Sequence, residues 1–152
     1  TALERLGARA GLTHDCRHHG IFMTSTATDE GERFLHLLNL DGFDKEFRIY
    51  ENGRALFGGR ALLLQSRDGV MLPCSVVFGD VKIVYSTAEI TQTAPDGIEF
   101  RLTQPADAIV LETERTPAPD GDCVVRREGG RWIIESRRHA KVSDRLFIRL
   151  HG

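Results

Sequence analysis

The sequence has no long hydrophobic run. Its longer apolar stretches, such as residues 61–64 and 108–111, are far below the roughly 18 residues that a membrane-spanning helix requires. This argues against a transmembrane helix and a membrane partner. The chain also lacks an opening basic segment followed by an apolar one, which is typical of a secretory signal. Because it begins at Thr1 without Met, we expect it to be a piece of a longer protein.

Cysteine is scarce. The three cysteines, Cys16, Cys74 and Cys123, lie far apart and form no C-x-x-C pair. An odd number at this spacing favours reduced, partly buried thiols over a disulfide framework or a metal cluster. Reduced thiols slightly favour a cytoplasmic location, although the localisation stays open. The shares of charged residues, 28%, and hydrophobic residues, 41%, are typical of a soluble globular protein.

Motifs for catalysis and nucleotide binding are also missing. No serine lies in a G-x-S-x-G elbow, and the FGGR segment at residues 57–60 is not followed by G-K-[ST]. Four glutamates could supply, in number, the carboxylate pair of a glycoside hydrolase: Glu89, Glu99, Glu112 and Glu114. Each lies in strand-like surroundings, where an outward, solvated carboxylate is expected. The residues therefore predict no catalytic side chain and no cofactor.

One short segment is rich in metal-ligating side chains. His14, Cys16, His18 and His19 are all usable zinc ligands. Their spacing differs from that of the common structural zinc sites, and no second ligand pair follows downstream. A solvated linker is the better interpretation, so we predict no metal.

The sequence does contain a series of glycine turns. They are Asn52-Gly53, Gly79-Asp80, Asp96-Gly97 and Gly129-Gly130. Gly and Asn readily adopt the positive φ that two-residue turns need, and such turns return one strand antiparallel to the last. Short runs of β-branched and aromatic residues lie between the turns. The predicted fold class is all-β, an antiparallel β-sandwich or barrel built as one unit or as two small β units.

The pattern along the chain predicts its organisation. Residues 1–19 are interpreted as a linker with a short N-terminal helix, in which Leu3, Leu6 and Ala10 have helical spacing. We expect an antiparallel β domain over residues 20–93. The sequence Pro95-Asp96-Gly97 is a candidate boundary, and residues 94–152 form a second β unit or continue the same sandwich.

One predicted strand differs from its neighbours. Residues 34–40 are apolar at alternating and at intervening positions, whereas residues 46–49 alternate between apolar and polar. A strand that is apolar on both faces is central and covered from both sides, or has one face covered by a domain that the chain lacks.

The basic and aromatic residues bear on two binding functions, nucleic-acid binding and sugar binding. Residues 122–152 hold eight Lys or Arg against four Asp or Glu, but a row of aromatics that would stack nucleobases is missing there, so we predict no nucleic-acid partner. We instead expect a solvent-exposed charged surface or an interdomain contact for the basic residues Arg126, Arg127, Arg137, Arg138 and Lys141. Trp132, Tyr50 and Tyr85 are the candidates for stacking on a sugar ring, although a cross-strand hydrophobic pair is the more common role of such a Trp.

Several segments carry a family resemblance. They are the HHGIF and TSTAT segments, the FLHLLNLDGF strand and turn, the LFGGRALLL hairpin, the RDGVMLP corner and the STAEI strand. Together they cover about half of the chain, and they resemble the region that follows the catalytic barrel in bacterial β-galactosidase-like enzymes of glycoside hydrolase family 35.

The resemblance implies a piece of a carbohydrate-metabolising enzyme without its chemistry. In that family two glutamates of a (β/α)8 barrel remove terminal β-galactosyl groups, and a barrel needs about 200 residues or more. No residue of this chain corresponds to those glutamates. The expected function is therefore a non-catalytic accessory β domain that supports the barrel of the same parent chain. The alternatives are a carbohydrate-binding module and an oligomerisation or interaction domain.

Overall fold

The computed structural model describes residues 11–137 and 144–152. Within these residues the chain forms sixteen strands and one 3₁₀ turn at Phe57–Gly59, and every described strand pair is antiparallel. The predicted all-β, antiparallel class is confirmed. The predicted N-terminal helix, with Leu3, Leu6 and Ala10, lies outside the described residues.

The chain divides into two compact units, residues 1–71 and 72–152. In unit 1 the strands are β1 Leu12–His14, β2 Ile21–Ala27, β3 Arg33–Asn39, β4 Lys45–Phe47, β5 Ile49–Glu51, β6 Arg54–Ala55, β7 Leu62–Leu64 and the start of β8 Gly69–Phe78. Unit 2 holds the rest of β8 and the strands β9 Val81–Ser86, β10 Glu89–Ala94, β11 Gly97–Arg101, β12 Ala108–Glu112, β13 Thr116–Pro119, β14 Cys123–Glu128, β15 Arg131–Ser136 and β16 Arg145–His151.

The division falls after Met71, whereas the sequence placed a candidate boundary at Pro95-Asp96-Gly97. In the structure Pro95 and Asp96 form the turn of the β10–β11 hairpin, in which Ala94 pairs with Gly97. Pro95 tolerates this place because a turn residue needs no ladder donor.

Unit 1 is built from small antiparallel sheets. The turn at Asn52-Gly53 has φ values of 51° and 81°, which are the positive angles that a tight hairpin turn requires, and it joins β5 to β6. β1 pairs with the other side of β5, β4 pairs with β7, and β2 pairs with β3. The core of the unit holds large apolar side chains that are almost fully buried: Leu35, Leu37, Phe47, Ile49, Phe57, Leu62 and Leu64.

Unit 2 has a sandwich-like arrangement of two sheets. One has the order β14-β15-β12-β9-β8, and the other has the order β10-β11-β16-β13. Four consecutive residues of β12, from Ala108 to Leu111, are buried, so this strand is covered on both faces. β11 and β16 instead bury alternate side chains, including Phe100 and Ile148, as strands with one solvated face do.

Candidate functional site

The outer face of β2 and β3 in unit 1 is apolar and exposed. Phe22 and Leu38 are cross-strand partners, so their side chains project from the same face. Phe22 is 54% exposed and Leu38 is 39% exposed, whereas Leu35 and Leu37 on β3 are buried. β3 is therefore apolar on both faces, as its sequence indicated, and within the described residues of unit 1 only one of these faces is covered.

The exposed face continues beyond this pair. Leu40 is 54% exposed and follows Leu38 by two residues, which places both on the same side of an extended chain. A Cβ at Gly69 would lie 3.3 Å from Cδ1 of Leu38, so the backbone at the start of β8 passes beside the Leu38 side chain. We call Phe22, Leu38 and Leu40 the apolar face; Phe43 and Met71 are the other exposed large apolar side chains in the described part of unit 1.

Hydrogen bonds of the buried Asn39 side chain hold the turn that follows β3. The buried Asn39 donates from Nδ2 to the Phe43 carbonyl oxygen at 2.8 Å, and its Oδ1 accepts the Asp41 backbone N–H at 3.1 Å. Lys45 donates to Asp41 Oδ2 at 2.6 Å, and this hydrogen bond lowers the pKa of the Asp41 carboxyl. Phe43 is thus presented by an ordered turn, so binding a partner would cost little conformational entropy there.

The three aromatic residues predicted to stack on sugar lie on three different strands. Tyr50 lies in unit 1, on β5. In unit 2 Tyr85 pairs with Val110, and Val110 pairs with Ile133, so these side chains share a face. Trp132 is the neighbour of Ile133 along β15 and therefore projects from the opposite face. Tyr85 and Trp132 do not form a joint platform.

Trp132 already has protein partners. The guanidinium carbon of Arg127 lies 5.0 Å from the centroid of its ring, and Nε1 donates to the Thr113 carbonyl oxygen at 3.3 Å. Arg127 is also the cross-strand partner of Trp132. The indole is therefore used in a cation–π contact between β14 and β15.

The four candidate glutamates do not converge on one site. Three of them bind arginines on neighbouring strands: Glu89 binds Arg101, Glu99 binds Arg145 and Glu112 binds Arg131. Glu114 is exposed. The pairs of Glu99 and Glu112 are partly exposed, and that of Glu89 is more buried, so each of these three carboxylates is used in a cross-strand ion pair.

The histidine-rich segment borders a groove of about 510 Å³ beside β1 and β2. His14, Cys16 and His19 line it, and Nδ1 of His14 accepts the Cys16 backbone N–H at 3.1 Å. Burial lowers the pKa of His14. Within the described part of the chain, no three His, Cys, Asp or Glu side chains are grouped so that they could hold a metal ion.

A buried polar network in unit 2 was not predicted from the sequence. Asp107 is buried and accepts hydrogen bonds from the Thr87 hydroxyl at 2.6 Å and from the backbone N–H groups of Thr103 and Gln104 at 3.2 Å. Its own N–H donates to Ser136 Oγ at 2.8 Å. The one local signal is an aspartate immediately before a strand whose first four residues are apolar. Because N–H and O–H donors of the protein bind the Asp107 carboxylate, we assign Asp107 a structural role.

No helix among the described residues is long and apolar enough to span a bilayer. No model of a known protein family matches the chain, and no curated protein is significantly similar to it. The apolar face of unit 1 is therefore the structural feature from which we infer a function.

Proposed function

We propose that this chain is a non-catalytic accessory β region of a larger, β-galactosidase-like glycoside hydrolase. Its apolar face packs against the catalytic barrel of the same parent protein and supports it. The observation that carries this proposal is the exposure of Phe22, Leu38 and Leu40 on one side of strands whose other side is core.

The apolar face and the family resemblance involve the same residues. The FLHLLNLDGF segment, residues 34–43, supplies Leu38 and Leu40, and the HHGIF segment supplies Phe22. The pattern that resembles the post-barrel region of family 35 thus includes the side chains that this chain leaves exposed. This coincidence favours a domain contact as the reason for the pattern.

Covering the apolar face is also favourable in energy. Fully burying one large apolar side chain contributes about 1.5 to 3 kcal/mol, so covering several partly exposed ones gives a substantial gain. Monomeric proteins rarely leave large apolar patches uncovered. A rigid contact would also matter for catalysis in the parent, since loops hold catalytic geometry only when firm packing supports them.

The test begins with the whole parent protein. The coding region upstream of Thr1 should encode a (β/α)8 barrel with two catalytic glutamates, and the whole protein should hydrolyse a nitrophenyl galactoside while the isolated chain does not. A Leu38→Ser and Leu40→Ser double variant of the whole protein should melt earlier and lose activity. Val124→Ser, at an exposed apolar position of unit 2, is the matched control.

Several results would remove the proposal. One is turnover by the purified chain that is lost when one of its own glutamates is changed. Another is a parent protein without a barrel. A third is a double variant of the whole protein with the stability and activity of the Val124→Ser control, because the apolar face would then not be a domain contact.

The same face favours a second function, an oligomerisation or interaction domain. An exposed apolar surface on a sheet can be buried against another copy as well as against a barrel. In that case the whole parent protein would form oligomers that the double variant of Leu38 and Leu40 dissociates. A monomeric parent would leave the barrel contact as the better account.

A further inference from the structure

A second groove lies entirely within unit 2. Its volume is about 430 Å³, which is in the range of small-molecule sites. The β8–β9 turn, the β10–β11 hairpin and the segment after β12 surround it. Its main lining residues are Phe78, Asp80, Thr93, Ile98, Arg115 and Leu150.

The guanidinium of Arg115 is only partly used by the protein. One terminal nitrogen, Nη2, donates to the carbonyl oxygens of Leu150 at 2.7 Å and Pro95 at 3.0 Å. The other, Nη1, lies 3.5 Å from Oδ1 of Asp80, which is longer than an ordinary hydrogen bond. A guanidinium has five N–H donors, and the only contact of Nη1 in the described structure is this long ion pair with Asp80, so Arg115 retains donor capacity. The Arg115 side chain is 22% exposed, so few water molecules can accept hydrogen bonds from its remaining N–H groups.

Asp80 and Thr93 add acceptors on the same rim. Asp80 follows Gly79, whose φ of 59° makes the tight β8–β9 turn, and its side chain is 66% exposed. The exposed Thr93 presents a hydroxyl from β10. Beside these polar groups, the partly exposed Phe78 and the exposed Pro95 supply an apolar surface. The groove thus combines donors, acceptors and an apolar surface.

We propose that this groove binds a neutral saccharide. A sugar hydroxyl both donates and accepts, so one hydroxyl can accept from Arg115 while its neighbour donates to Asp80. The charges of these two residues cancel, so an anionic ligand would meet the Asp80 carboxylate and a cationic ligand would meet Arg115. The C–H face of the sugar ring would lie on Phe78 and Pro95. This site does not depend on the barrel contact of unit 1.

The site can be tested by NMR titration of the 152-residue chain with galactose. The expected result is saturable shifts of the amide signals of residues 78–81, 93–94, 96–98 and 115, with weaker shifts for glucuronate and glucosamine because they are charged. Asp80→Asn should weaken galactose binding by about tenfold, since a hydrogen bond to a charged acceptor becomes one to a neutral, weaker acceptor. Asp80 is exposed, so the variant should keep its fold, and the unchanged remainder of the spectrum will verify this.

Two further variants complete the design. Thr93→Val removes one hydroxyl without changing the shape of the side chain, and it should weaken binding by a smaller factor. Asp96→Asn is the matched control, since it makes the same chemical change in the adjacent turn but its side chain does not line the groove. The proposal is overturned by an absence of saturable shifts up to the solubility of galactose, by shifts centred elsewhere, or by equal affinity of all three variants.

Discussion

Phe22 on β2 lies directly opposite Leu38 on β3, and both side chains remain exposed on the outer face of unit 1. A non-polar pair at directly opposite positions stabilises strand pairing, but here much of its surface also meets water. The register that buries Leu35 and Leu37 is the one that exposes this pair, because a one-residue slip would exchange the two faces. Core formation and exposure of the apolar face are therefore linked.

The first prediction concerns self-association of the isolated chain. With the apolar face uncovered, the wild-type chain should form dimers or larger species at high protein concentration. A Phe22→Ser and Leu38→Ser double variant should elute as a monomer in size-exclusion chromatography. Val124→Ser, on the edge strand β14, should behave like the wild type. A wild-type chain that stays monomeric at all concentrations would show that this face does not associate by itself.

The second prediction concerns Gly97 in β11. A Cβ at this position would lie 2.5 Å from the Ile148 carbonyl oxygen, and it would also overlap the Phe147 ring. Gly97→Ala should therefore lower the free energy of unfolding by about 1 to 3 kcal/mol through overpacking. Gly42→Ala is the control, since its nearest neighbour would be the Arg67 side chain at 3.6 Å. Denaturant unfolding should separate the two variants, and equal midpoints would contradict the prediction.

The third prediction concerns Asp107. Asp107→Ala leaves buried donors of Thr87, Thr103 and Gln104 without their acceptor, which should cost about 3 kcal/mol or more of stability. Asp122→Ala removes a surface partner of Arg137 and should cost less than about 1 kcal/mol. Urea unfolding curves measure both effects. A small loss for Asp107→Ala would mean that water replaces the carboxylate.

The fourth prediction concerns acid stability. Burial lowers the pKa of His14. Below about pH 6.5 the imidazole therefore binds a proton more readily in the unfolded chain than in the folded chain. Stability should therefore fall as the pH drops below this value. Hydrogen bonds from Lys45 and Arg33 lower the pKa values of Asp41 and Glu51, so their contributions are present above about pH 4 and are lost below it.

The thermal midpoint measured between about pH 7.5 and about pH 3 should thus decrease in two stages. His14→Gln keeps a hydrogen-bond acceptor for the Cys16 N–H but does not titrate, so it should abolish the first stage only. A variant with the same first-stage decrease as the wild type would assign that decrease to another group.

Much of the fold could be predicted from local sequence. Asn52-Gly53 and Gly129-Gly130 lie in hairpin turns with positive φ, because few other residue pairs adopt those angles readily. The two-faced hydrophobicity of residues 34–40 also indicated that one side of the strand would be core. Whether its second side was covered by the chain itself depended on tertiary structure, which the pattern does not contain.

The sites could not be predicted in the same way. Tyr85 and Trp132 fall on opposite faces because of strand register, and the β9–β12 pairing contains a shift between Val110 and Leu111 that alternation alone does not reveal. The partners of Asp107 come from segments up to 29 residues away. Contacts between such distant segments leave no local pattern in the sequence. The strands can therefore be predicted from one sequence, whereas the polar networks between them cannot.

Arg115 has a consequence for the kinetics of unit 2. Its guanidinium joins the Pro95 carbonyl, 20 residues earlier, to the Leu150 carbonyl, 35 residues later. Because it can reach both only after those segments have met, we expect these bonds to form after the rate-limiting step of folding. Arg115→Met should then accelerate unfolding in stopped-flow experiments while leaving the refolding rate nearly unchanged. One side chain at the rim of an open groove would thus slow the separation of β16 from the β10–β11 hairpin.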